Sequence, residues 1–431
     1  MAIPAGEPHL GARQGAGAIG PLSAREAARE IIAGVRRQPA LRVPLDDALG
    51  SILAEPVTSP LDIPPWTNSA MDGYAARAED VRGATAEHAR SLRVVETIPA
   101  GLFPVKAIGP GECARIFTGA PLPEGADSVV RQEDTEQQGD TVRIRSGRDA
   151  GVNIRLAGED VRAGSVVLEE GMLLGAAEIG VLASLAVAHP VVYRRPRVAI
   201  LGSGDEIVDL DRADEIRSGR KVASSNTHAL IALVTLAGGI PVNLGIAKDT
   251  RESMRDHLER ARDCDLIVTT AGISVGEHDH VLATLQEMGF ELRFWKLRMR
   301  PGAPVGFGVI GGEVPWIGLP GNPVSTMVTF ELFVRPAIRK MMGHALPFRS
   351  TTNVTLAEPI KLGPRLQHFL RAVIRDGQAR LTGPQGSGIL TSMVRANALL
   401  VIPEGQHETP AGALAQAIVF DNPVHQADPP S

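Results

Sequence analysis

From Arg197 to about residue 342 the chain alternates short apolar runs with helix-like segments, and that alternation leaves few folds open. RVAILGSGDE is an apolar run ending in a glycine turn, followed by the helical segment SSNTHALIALVTLAG. IPVNLGIA and TRESMRDHLERARD repeat the pair, as do DLIVTTAG and HDHVLATLQEM, and a long helix follows LPGNPVS near 322–342. Strand alternating with helix at this spacing predicts a doubly wound, largely parallel sheet. Ligands of such sheets bind beyond the carboxyl ends of the strands.

Three strand-to-helix connections combine glycine with polar groups: GSGDE (202–206), AGISVGEHD (271–279) and LPGNPVS (319–325). The last predicts Asn322 as N-cap and Pro323 as the first helical residue, an arrangement suited to an anion. One such loop is weak as a signal, because a strand-to-helix turn needs glycine anyway. Three in one sheet point to a phosphate-bearing ligand. The loops also carry Asp205, Glu206, Glu277 and Asp279, with Asp249 following GIAK. Carboxylates beside phosphate repel it unless a hard cation lies between them, which implies Mg²⁺. Asp249 stands at capping-box spacing from Glu252, so a helix cap is its simpler reading. In FWKLRMRPGAP, Lys296, Arg298 and Arg300 alternate and on a strand would share one face; that face meets an anion or is a solvated edge. His278 and His280 read as the start of a helix.

The regions flanking the α/β stretch look different. Ser23 and Glu26 have capping-box spacing ahead of a helix that Pro39 ends. Residues 40–190 read mostly as short strands separated by Gly/Pro turns, with a helix near 175–187, and the text from about 345 reads as a small barrel or sandwich. Within the first of these, Asp72-Gly73 of NSAMDGYA reads locally as a turn dipeptide. Net charge is −5 and aromatics are 3%, which argues against nucleic acid as a partner. No apolar run is long enough to span a bilayer. Cys113 and Cys264 are far apart and outside any CxxC, so a disulfide framework or zinc site is not expected and a cytoplasmic setting fits. Residues 1–20 read as a flexible tail.

These motifs, in this order, resemble the molybdopterin molybdenumtransferase family, whose bacterial members are called MoeA and which includes the E domain of gephyrin. The likeness runs from about residue 20 to about 420 and includes MDGYA (71–75), RIFTGAPLPEGADSVVRQED (115–134), GEDVRAG (158–164), GSGDE, AGISVGEHD, RPGAP and LPGNPVS. It implies a multidomain α/β plus β architecture. A helix at 21–39 would pack on an α/β molybdopterin-binding module at 192–344. An elongated linker module would be formed by 40–58 and 165–191, a β-rich module by 59–164 and a C-terminal β-barrel by 345–425, with a tail at 426–431.

The resemblance also implies the chemistry: molybdenum from molybdate enters adenylylated molybdopterin, and AMP leaves. Position by position, it assigns catalytic roles to Glu206, Asp72, Thr118 and Asp160, and Mg²⁺ ligation to Glu206, Asp249 and Asp279. Substrate contacts fall to Gly202, Ser203, Gly204, Asp205, Gly272, Ser274, Gly276, Lys296, Arg300, Gly321, Asn322 and Pro323, with Arg371 and Ser387 near molybdate. Ser203 stands where the family has threonine, Ala271-Gly272 where it has two glycines, and Ala303 where many members have lysine. A homodimer with a site shared between chains is implied, with the molybdopterin adenylyltransferase as a candidate partner and neither nucleic acid nor membrane. The competing readings are a molybdopterin adenylyltransferase, a tungsten-inserting paralogue and a non-catalytic scaffold of the same fold. The first needs only about 192–344, and a scaffold has no need of acids in its glycine turns.

Overall fold

In the structure, a computed structural model, residues 21–270, 280–363 and 365–420 are described. They divide into two compact units. The first takes the chain up to Val43, the short stretch Gly50–Ala54 and everything from Val191 onward; the second holds Pro44–Leu49 and Glu55–Pro190.

The first unit is built on a six-stranded sheet, in the order Ile240–Ala247, Arg197–Ser203, Leu266–Thr270, Val314–Leu319, Gly306–Ile310, Phe290–Trp295. Its first four strands are parallel and the last two run antiparallel to their neighbours. Both faces are covered, which is why Leu266–Thr270 is buried at all five positions instead of alternating. On one face Ala27 and Ile31, Leu230 and Val234, and Val328 and Ile338 pack on Val198, Ile200 and Val268. On the other, Met254, Leu258 and Leu285 pack on Ala199, Leu201 and Ile267. The helix Ala24–Gly34 begins with the reciprocal Ser23–Glu26 capping box. Gly34 is required there because an added Cβ would sit 2.5 Å from the Phe307 ring.

A second sheet in the same unit closes on itself. Gln367–Arg375, Gln378–Leu381, Thr351–Leu356, Leu414–Val419 and Ala398–Ile402 pair in turn, and the last pairs back with the first, giving a five-stranded barrel. Val354, Leu370, Leu400 and Ala417 are among the residues that fill it. Met299–Arg300 adds to its rim, pairing with Gln367–His368.

The second unit has a six-stranded sheet in the order Ser128–Arg131, Gly73–Ala76, Glu112–Ile116, Arg90–Ile98, Thr141–Ile144, Thr135–Gln138. Separate small cores lie on Tyr74, Cys113 and Val130 and on Ala75, Ala114 and Val129, the alternation expected of strands with two faces. Short pairings, Asn68–Ser69 with Ile154–Arg155 and Val57–Thr58 with Val166–Leu168, form separate two-stranded sheets, and a helix spans Ala176–Ser184.

Candidate active site

The strand Arg197–Ser203 has its crossover partners on opposite sides, Ile240–Ala247 and Leu266–Thr270. The carboxyl end of such a strand is a topological switch point, where a crevice opens. A cavity of about 380 Å³ lies there, lined by Gly202, Ser203, Glu206, Ser224, Ser225, Asn226, Thr270, Gly321, Asn322 and Pro323 among others. Two helices, Ser225–Leu236 and Pro323–Thr329, begin at this cavity, and neither has a side-chain cap on its first-turn amides. Ser23 and Thr250, by contrast, cap their helices in the ordinary way. Uncapped first turns leave N–H groups that an anion can satisfy, although in the second helix Pro323 has no N–H and the Val324 amide is already bonded to Ser387 O. Asn226 Nδ2 donates to Gly321 O at 2.7 Å and ties the two helix starts together.

Glu206 is the one carboxylate among the described residues lining this cavity. Gly204, with φ of +131°, turns the chain so tightly that a Cβ on it would meet Glu206 Oε2 at 2.9 Å. Asp205 faces a different cavity, with Lys221 and Lys248. It is paired with Asp249 through the backbone: each carboxylate accepts the other's amide N–H at 3.3 Å. Among the described residues no three His, Cys, Asp or Glu side chains are grouped so that they could hold a metal ion by themselves.

The barrel reaches the same helix start. Arg371 is fully buried; its Nε donates to Ser392 Oγ and its Nη2 to Gly386 O, each at 3.0 Å. Its Nη1 is buried without a hydrogen-bond partner, and burial lowers the guanidinium's pKa. The Gly386–Ser387 loop it supports accepts the Val324 amide at Ser387 O, 3.1 Å.

In the second unit Asp72 and Thr118 meet. Thr118 donates its amide (2.9 Å) and its hydroxyl (2.8 Å) to Asp72 Oδ1, and those bonds hold the carboxyl below the usual carboxylate range. Asp160 is exposed, its amide bonded to Ile63 O.

Three family profiles match consecutive stretches of the chain: the MoeA N-terminal region (domain I and II) at 22–186, a probable molybdopterin binding domain at 199–340, and the MoeA C-terminal region (domain IV) at 353–420. The chain belongs to the MoeA family. A molybdopterin molybdenumtransferase from a Nostoc species is 39% identical, over 83% of this chain and 84% of its own. Molybdopterin molybdenumtransferase 2 of Mycobacterium tuberculosis is 37% identical, over 91% and 98%. A crystal structure of the molybdopterin biosynthesis moeA protein from Pyrococcus horikoshii OT3 superposes with a TM-score of 0.80 at 29% identity, covering 93% of this chain and all 100% of that one.

Three expectations need correction in this MoeA chain. Asp249 does not cap a helix: Thr250 does, its side chain accepting the Ser253 amide. Lys296, Arg298 and Arg300 do not share a strand face, because the strand ends at Trp295 and Lys296 takes a φ of +67°. Arg298 bonds Glu404 and Pro21 O, while Arg300 pairs with His368 on the barrel rim. Asp72-Gly73 is no positive-φ turn; Gly73 opens a strand, and a Cβ on it would meet Val130 O at 2.0 Å. Gly272, Ser274, Gly276 and Asp279 lie outside the described residues. Ser224, Ser225, Asn226 and Thr270 line the cavity although their residue types announce no particular chemistry. The polar run SSNT opening a helix was the available signal.

Proposed function

We propose that this chain inserts molybdenum from molybdate into adenylylated molybdopterin, releasing AMP and leaving molybdenum cofactor. The supporting observation is the cavity at the switch point, where two uncapped helix starts meet the single carboxylate of Glu206. Helix N-termini favour phosphate oxygens, and Glu206 opposes them unless a cation is shared. Mg²⁺ commonly takes one or two carboxylates plus substrate phosphates, and an isolated Glu beside an anion site fits that demand. Glu206 would hold it, with Asp249 and Asp279 as further candidates from the family pattern. When bound, Mg²⁺ neutralises phosphate charge and polarises the phosphoryl oxygen.

The remaining roles belong to the chain itself. Gly202, Ser203, Gly204, Gly321, Asn322 and Pro323 shape the phosphate cradle, and Lys296 and Arg300 supply cations to the pyrophosphate. Asp205 braces the Glu206 turn through its exchange of backbone bonds with Asp249. The unpaired Nη1 of Arg371 is a donor held ready for an oxyanion, since a buried N–H without a partner is costly until something accepts from it. Molybdate is the oxyanion proposed for it, with Ser387 beside it. Asp72, Thr118 and Asp160 are proposed to complete the cavity of a second copy in a homodimer, and the adenylyltransferase of the same route to supply the substrate. A cytoplasmic location belongs to the same proposal. It is supported by two free, buried cysteines and by the absence, among the described residues, of any helix long and apolar enough to cross a membrane.

The experiment is direct. The protein is incubated with adenylylated molybdopterin, molybdate and Mg²⁺, and AMP and metallated pterin are quantified. Stoichiometric AMP release that stops on adding EDTA supports the proposal; no AMP under any condition rejects it.

A further inference from the structure

The second unit carries an aromatic pair that the proposal above leaves unused. Trp66 and Phe103 stand edge to face, with ring centroids 5.0 Å apart and planes at 69°. Both are solvent-facing, Phe103 at 61% exposure. The chain has only three tryptophans, so leaving one 36% exposed beside a phenylalanine forfeits part of the apolar burial that a core would use.

The pair is held in place. The Glu96 carboxylate accepts the amides of Val105 and Lys106, each at 3.0 Å, and Lys106 Nζ donates to Val95 O at 2.8 Å; these bonds fix the loop bearing Phe103. Trp66 donates its indole N–H to Gly119 O at 3.4 Å. Thr118, the residue before Gly119, is the one that bonds Asp72 twice. The Trp66 ring and the Asp72 carboxylate are therefore anchored on consecutive residues, about 3.8 Å apart at Cα, and Phe103 is reached through its contact with Trp66. Both Thr118 bonds go to Oδ1, and Oδ2 makes no hydrogen bond among the described residues. The result is an apolar corner of two rings set edge to face, next to an acceptor whose pKa is lowered by the Thr118 bonds.

A matching ligand has a planar heterocycle with adjacent N–H donors along one edge. The aminopyrimidinone ring of a pterin has that edge, its 2-amino group and ring N–H lying side by side. We infer that Trp66, Phe103 and Asp72 form a pterin-ring subsite, one aromatic face stacking on the ring, the other ring walling it edge-on and Asp72 Oδ2 accepting from its donor edge. The inference rests on the proposed substrate. It gives Asp72 the task of holding substrate.

The test uses 6-hydroxymethylpterin, which carries neither phosphate nor adenylyl group, with AMP as a second probe. Tryptophan emission and equilibrium dialysis follow binding. Wild type should show saturable quenching, and Trp66→Phe should keep the binding seen by dialysis. Trp66→Ala, Phe103→Ala and Asp72→Asn should each weaken pterin binding about ten-fold, the loss typical of removing a stacking partner. AMP binding should be unchanged in all of them. No saturable pterin binding to wild type overturns the inference. So does unchanged pterin affinity in both Trp66→Ala and Phe103→Ala. Unchanged affinity in Trp66→Ala with a changed mass by light scattering also overturns it, making the pair a contact between copies. AMP release by wild type reports on the substrate proposal separately: pterin binding without turnover rejects that proposal and leaves the subsite standing.

Discussion

Glu206 is the residue on which the phosphate end of the site turns, because it brings the only carboxylate among the described lining groups. Glu206→Gln keeps its volume and removes its charge. Melting should stay within a degree or two of wild type while AMP release falls by at least about 100-fold, the scale of losing a charge-stabilising group; near-normal turnover would remove Glu206 from the mechanism. Gly73 is constrained by contact, not by dihedral angle. Val130 O lies only 2.0 Å from where a Cβ would stand, so Gly73→Ala must push strand Ser128–Arg131 away and shift Asp72 next to it. A loss of about 1–3 kcal/mol, the usual cost of overpacking, should appear in urea denaturation. Asp149 supplies a pH test. It is 1% exposed; burial would raise its pKa, but the Arg131 guanidinium and amide bonds outweigh that and hold it below the ordinary value. A lowered folded-state pKa gives stability that is complete above the unfolded value of about 3.9 and is lost as pH falls through the folded one. Thermal stability should therefore fall steeply below about pH 4, and less steeply in Asp149→Asn.

At the scale of elements, the start of helix Arg251–Glu259 separates two roles that the sequence runs together. Thr250 caps the helix and Asp249 braces the neighbouring turn. Thr250→Ala should cost about 1 kcal/mol of stability and leave substrate affinity alone, whereas Asp249→Asn should do the reverse in calorimetric titration with Mg²⁺. Spacing alone favours Asp249 as the cap because Glu252 stands three residues on, and spacing does not reveal which of two adjacent polar residues turns inward. The sheet was legible for a stronger reason: strands such as Leu266–Thr270 are buried on both faces, so their apolar runs are continuous. The Lys296–Arg300 segment was misleading because alternation survives on paper after a residue with positive φ has ended the strand. Trp66 and Phe103 lie 37 positions apart; bonds that converge on Thr118–Gly119 tie Trp66 to Asp72, and Phe103 joins them through its ring contact with Trp66.

At the scale of the whole molecule, the proposed sharing of sites between two copies makes complementation the decisive measurement. Asp72→Asn and Glu206→Gln should each be nearly inactive alone. After subunit exchange, about half the dimers are mixed and each has one intact site, so activity should recover to about a quarter of wild type. Confirmed mixed dimers without recovery would confine the site to one chain. The order of the units along the chain has a further consequence during synthesis. The second unit interrupts the first, so helix Ala24–Gly34 leaves the ribosome long before the Phe307 ring against which Gly34 closes. At about 5–20 residues per second, the roughly 270 intervening residues take about 14–55 s to appear. Until the strand Arg197–Ser203 emerges part-way through that interval, the apolar stripe of Ala27 and Ile31 has no sheet strand to cover it. The nascent chain is thus a natural client for a ribosome-associated chaperone, and the inserted unit, whose strands are all made by then, is the first to become resistant to protease.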